Sequence, residues 1–115
     1  MSIDRIRPGA WNSKAVIHGD MIYLSGIVAD DKLAGMKEQT EQVLAIIDGY
    51  LAKGGTDKSK LLTAMIFISD MSLKPEMNEA WEAWITPGCH PTRACVCSGL
   101  GSPQTLVEII VTAAK

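Results

Sequence analysis

From Leu61 to Ser69 the chain reads Leu-Leu-Thr-Ala-Met-Ile-Phe-Ile-Ser, an almost unbroken apolar run with a β-branched and aromatic tail. A run of this kind suits a central strand buried on both faces. A sheet built around it must therefore be covered on both sides. The 115 residues offer two helical stripes to do so. One extends from Leu33 to about Lys53, where Met36, Val43, Leu44, Ile46, Ile47, Tyr50 and Leu51 recur at threes and fours, and Gly54-Gly55 closes the last turn. The other follows Asp70, Ser72 and Pro75, carries Met77, Ala80, Trp81, Trp84 and Ile85, and stops at Pro87-Gly88.

The remaining runs read as strands. Turn signals at Pro8-Gly9, Asn12-Ser13 and Gly19-Asp20 divide Ile3–Val28 into short pieces. Lys14–His18 and Met21–Ser25 flank Gly19-Asp20, which predicts a tight hairpin with glycine supplying the positive φ of a type II′ turn. Thr92–Ser98 and Thr105–Ala113, joined by Gly99–Gln104, are expected to pair as an antiparallel hairpin. The order is β-β-β-α-β-α-β-β: an α+β fold, a mixed six-stranded sheet with two helices on one face and nothing left to cover the other. The length fits one domain over residues 1–115, with no repeat and no linker.

Composition narrows the classes. With 47% hydrophobic and 21% charged residues the chain is globular and slightly oily, so it has apolar surface to hide elsewhere. A net charge of −2 with no cationic cluster leaves no nucleic-acid footprint. No run is long enough to span a membrane, and Met1–Arg5 lacks a secretory pattern, so the expectation is a cytoplasmic protein. Cys89, Cys95 and Cys97 are an odd set that suits a reducing compartment. With His90 they lack the paired Cys-x2-Cys spacing of a zinc site, and Cys95 and Cys97 share one face of a strand, where packing accounts for them. No metal is expected.

Two charged residues stand in apolar surroundings: Arg93 at the start of its strand, and Glu108 inside Leu106-Val-Glu-Ile-Ile-Val111. Burying a carboxylate costs several kcal/mol unless it is paired or hydrogen-bonded. In a hairpin Glu108 would lie opposite Cys95 or Val96 and close to Arg93, as a cross-strand ion pair or as a working acid. A one-residue change of register would put the two on different faces. A guanidinium is also the group best shaped to grip a small carboxylate with two parallel hydrogen bonds. Trp11, Tyr23, Trp81 and Trp84 could line a pocket, although Trp81 and Trp84 sit on the helical stripe and fit its core, and His18 fits a packed or surface position.

The segment Pro91-Thr-Arg-Ala-Cys-Val96, with Val107-Glu-Ile109 placing Glu108 fifteen residues after Arg93, closely resembles the C-terminal signature of the RidA (YjgF) family. Tyr23-Leu-Ser-Gly26, Phe67-Ile-Ser-Asp70 and Met77-Asn-Glu-Ala-Trp81 match in order, and the similarity, nearest to the YoaB-like branch, spans almost the whole chain. The resemblance implies a chorismate-mutase-like fold, a homotrimer with its sheets inside, and a site in each cleft between subunits. It implies cofactor-independent hydrolysis of reactive imines and enamines such as 2-aminoacrylate to a 2-keto acid and ammonia. By the same resemblance Arg93 grips the substrate carboxylate, the Cys95 backbone orients it, and Glu108 positions or activates water. Asn78, Ser25, Gly26 and Trp11 fall at positions near the site. Trp11 stands where a tyrosine is common, and Gly101 where an aliphatic residue is usual, which leaves the preferred substrate open.

A protonated imine is already electrophilic, so this chemistry needs orientation, a placed water and one proton-transfer group. Two other readings use the same residues. One is a non-catalytic trimer that binds or senses small carboxylates. The other is an endoribonuclease or translation inhibitor, an older label in the family, against which the balanced charge argues.

Overall fold

The computed structural model describes residues 1–115. Its elements are β1 (Ile3–Pro8), β2 (Ser13–His18), β3 (Met21–Leu24), β4 (Ile27–Val28), α1 (Met36–Lys53), β5 (Leu61–Ile68), α2 (Lys74–Trp84), β6 (Thr92–Cys97) and β7 (Val107–Ala114), with short 3-10 turns before β5 and α2. One mixed sheet has the order β1-β2-β3-β7-β5-β6, and β4 pairs with β7 beside β3. The α+β class, the mixed sheet and the two helices are as the sequence indicates. There are seven strands in place of six because Ser25-Gly26 interrupts the third.

Local chemistry accounts for the turns. Gly19 takes φ +61° between β2 and β3, as the tight hairpin requires. At the end of α1 Gly55 adopts φ +80°, and Thr56 N–H donates back to Leu51 O at 3.0 Å, closing the helix with the 6→1 bond of a Schellman turn. Before α2 the Asp70 carboxylate accepts from the backbone N–H (2.9 Å) and hydroxyl (2.7 Å) of Ser72. Those two bonds, the hydroxyl's first, hold the Asp70 carboxyl below the usual carboxylate range.

The antiparallel hairpin expected of the last two strands does not form. β5 lies between them, parallel to β6 and antiparallel to β7. The physical reason is the β5–α2–β6 crossover: a helix returning the chain sets its two strands parallel, and here they are neighbours. The other side of β5 is then free for β7, whose Val107, Ile109, Val111 and Ala113 all become buried. The connection crosses the end of β5, where Ser98 N–H donates to Ile68 O and Ser69 N–H to Leu106 O, both at 3.0 Å.

The two faces of the sheet differ. Ile22, Leu24, Ala64, Ile66, Ile68 and the buried positions of β7 pack in one core with Met36, Val43, Leu44, Ile47 and Leu51 of α1 and Met77 and Trp81 of α2. The opposite face carries Tyr23, Met65 and Val96, all exposed, with Phe67 and Ile110 half-buried among them. β5 is thus an interior strand, next to the edge strand β6, and is buried on one face only within a single chain.

Candidate functional site

Arg93 lies on β6 opposite Ala64, so its side chain leaves the sheet on the helix-covered side. There α2 supplies three contacts at helical spacing. Arg93 Nη2 donates to Asn78 Oδ1 at 2.8 Å, Nη1 approaches Met77 Sδ at 3.9 Å, and Cζ sits 5.5 Å from the Trp81 ring centroid. Cation–π stacking and a side-chain acceptor fix the plane of the guanidinium while no carboxylate neutralises it. A cleft of about 290 Å³, lined by Asn78, Trp81, Glu82, His90, Pro91 and Arg93, opens in front of it. Cys95 follows on the same side of β6, half-buried. Because β6 is an edge strand, one side of its main chain has no sheet partner and is available to a ligand.

Glu108 stands elsewhere. On β7 it is opposite Phe67 and Val28, on the open face of the sheet. A Cβ built on Gly26 would collide with the Glu108 carboxyl, its Cδ being 2.8 Å away, so the glycine makes the room this side chain occupies. Beside it the Ser25 hydroxyl is buried without a hydrogen-bond partner, a deficit of roughly 1–3 kcal/mol that an incoming polar group would relieve. The chain's single salt bridge joins Lys37 and Glu79, so the Glu108 carboxylate has no cation within reach.

The cross-strand proximity of Arg93 and Glu108 expected from a hairpin is therefore corrected. A whole strand separates them, and they leave the sheet on opposite faces, because Arg93 shares the parity of buried Ala64 and Glu108 that of Phe67. The candidate residues form two groupings: Arg93 with Asn78 and Cys95, and Glu108 with Ser25 and Gly26. Trp11 belongs to neither; it stands 98% exposed at the turn between β1 and β2.

His90, Glu82 and Gln39 are not among the site residues the sequence suggests, and Trp81, open to either role there, serves two. Trp81 is buried in the core as its helical spacing indicates, yet it also forms the platform under Arg93. His90 and Glu82 line the same cleft. Gln39, fully buried in α1, donates to Ala34 O (3.0 Å) and Gln104 O (2.9 Å) and accepts from Leu106 N–H (3.0 Å), which ties the segment leading into β7 to the helix. The only sequence signal for it was a polar residue on the apolar stripe of α1.

Comparison with known proteins agrees with this architecture. The family model described as Endoribonuclease L-PSP matches residues 2–115. The chain is 42% identical over 114 residues to the RutC family protein YoaB of Escherichia coli, covering 99% of each, and 40% identical to a RutC family protein of Haemophilus influenzae, covering 98% of each. Among solved structures, a member of the YjgF family from Neisseria meningitidis superposes with a TM-score of 0.95 at 42% identity, over 100% of this chain and 96% of that one. With the signature residues on β6 and β7 and the match running from end to end, this chain is a member of the YjgF/RutC family.

Proposed function

We propose that the protein hydrolyses reactive 2-imino and 2-enamino acids to 2-keto acids and ammonia without a cofactor, in a site completed between copies of the chain in a homotrimer. The observation that carries this reading is the state of its two charged groups. Arg93 is held flat by Asn78 and Trp81 with no anion, and Glu108 has no salt-bridge partner and packs against Gly26, whose chain neighbour Ser25 carries an unpartnered hydroxyl. Each is half of a site that a substrate with a carboxylate at one end and an iminium at the other would fill.

In the reaction the guanidinium binds the carboxylate and so orients the C=N bond. Glu108 accepts a proton from water as the water oxygen bonds to the imine carbon, and the proton passes to nitrogen. The tetrahedral adduct then expels ammonia as its C–N bond breaks, while Glu108 takes the hydroxyl proton and the C=O forms. An enamine enters after taking a proton at carbon to become the iminium. The exposed Tyr23, Met65 and Val96 of the open face support the trimer, since two further copies would bury them.

A binding-only trimer uses the same Arg93 and is separated by measurement. The name of the family model brings endoribonuclease into view, but a net charge of −2 gives little to hold a phosphate backbone. The test is 2-keto acid release from freshly generated 2-aminoacrylate. Arg93→Ala is expected to lower kcat/KM about 10- to 100-fold, the loss of a charge-assisted pair worth about 1.5–3 kcal/mol. Glu108→Gln is expected to lower kcat about 100-fold or more while carboxylate binding persists. Wild-type protein that binds the acid without exceeding the background rate would establish the binding-only reading.

A further inference from the structure

A second cluster of charge lies between the latter half of α1 and the strands β1, β2 and β4. Arg7, Lys14 and Lys53, with Asp30, Tyr50 and Gly49, line a cleft of about 440 Å³. None of the three cations is in a salt bridge. Arg7 and Lys14 stand across from one another, since the pairs Ile6–Ala15 and Pro8–Ser13 bracket them, and like charges directly opposed on adjacent strands repel.

The backbone at this point is also strained. Arg7 is the one non-glycine residue with positive φ, at 49°, and it directly precedes Pro8, where helical conformations are further disfavoured. Its guanidinium reaches α1, where Nη1 donates to the Tyr50 hydroxyl at 3.4 Å. Lys53 Nζ lies 5.5 Å from the Tyr50 ring centroid, on the last turn of the helix. Its charge suits the helix C-terminus, which explains Lys53 but neither Arg7 nor Lys14. Gly49 lies mid-helix on the wall of the cleft, and a Cβ there would touch nothing within 4 Å. Packing does not require glycine there, and its missing side chain leaves that part of the cleft wall open.

We propose that this cleft binds a small di-anion, a phosphomonoester or a dicarboxylate, through Arg7, Lys14 and Lys53. Two negative charges neutralise the opposed pair on β1 and β2 and engage the helix-end lysine, and Asp30, the one acid on the wall, disfavours crowding by a larger polyanion. The site is distinct from Arg93 and Glu108, yet Gly26, whose missing Cβ makes room for Glu108, also contributes to its wall.

The proposal is tested by titrating the intact, isotope-labelled protein with methyl phosphate, malonate and acetate while following backbone amide resonances. The expected result is saturable shifts at low millimolar methyl phosphate or malonate at Arg7, Lys14, Gly26, Gly49 and their neighbours, separable from any carboxylate shifts around Arg93 and Asn78, with acetate far weaker at this cluster; which di-anion binds tighter here identifies the ligand class. Lys14→Gln with Lys53→Gln is expected to weaken binding at least about tenfold, as loss of charge-assisted contacts requires. Arg7→Gly is expected to weaken it too while thermal stability holds or rises, because glycine accepts the positive φ. Equal response to acetate, shifts spread over the whole surface, or unchanged affinity in both variants would overturn the proposal.

Discussion

Arg93 and Glu108 lie fifteen positions apart in the chain, and their chemical types are legible in the sequence: a cation at a strand entrance, an acid in an apolar strand. Their spatial relation is not. Side-chain direction in a strand alternates, so the face each takes depends on which neighbour sets the register, and here β5 intervenes. The Glu108 position depends in turn on a residue with no side chain. Gly26→Ala puts a methyl group where the carboxyl now lies, and because that carboxyl ends a flexible side chain it can turn away at small cost to the fold. The expected outcome is a melting temperature close to wild type with imine hydrolysis reduced about tenfold or more, since a displaced base loses the geometry that proton transfer requires. Circular dichroism melting run beside the rate assay checks both parts, and full activity in Gly26→Ala would separate Glu108 from the reaction.

The elements divide into those set locally and those set by partners. Both helices are readable from apolar spacing and from their Pro and Gly boundaries, and the β2–β3 hairpin from Gly19, because each depends on residues close in sequence. The last two strands are readable as strands, but their pairing is decided by α2, which carries β6 to one side of β5 and leaves the other to β7. Gln39 then secures the segment before β7 from a helix more than sixty residues earlier. Its replacement by Leu strands the half-buried Leu106 N–H and removes the bonds to Ala34 O and Gln104 O, at a cost of roughly 1–3 kcal/mol. The expected result is a lower denaturation midpoint in urea, with amide hydrogen exchange accelerated first around Gln104–Val107.

At the scale of the molecule, the open face of the sheet is the surplus that a 115-residue chain cannot cover with two helices. Tyr23, Met65 and Val96 stand on it exposed, on three different strands, with Phe67 and Ile110 between them. The proposed trimer buries this face and brings the Arg93 half-site of one copy to the Glu108 half-site of another. Introducing charge there, Met65→Glu with Val96→Glu, is expected to shift the sedimentation mass toward a single chain and abolish imine hydrolysis together. A monomeric variant with undiminished activity would show that one chain completes its own site. Because Arg93 and its α2 contacts lie on the far side of the sheet, that variant is expected to keep its helical circular dichroism signal.

What the sequence determined by itself is what short-range chemistry dictates: the α+β class, the two helices, the tight hairpin, the uncovered face, and the residue types able to bind a carboxylate or move a proton. The family signature on β6 and β7 is equally a property of the sequence. Only the tertiary structure decided that β5 separates the two signature strands, that Arg93 and Glu108 emerge on opposite faces, and that strained Arg7 meets Lys14 and Lys53 in one cleft. The reason is common to all three. Strand order and register are set by competition among distant segments for a shared hydrophobic core, and no window of neighbouring residues contains that competition.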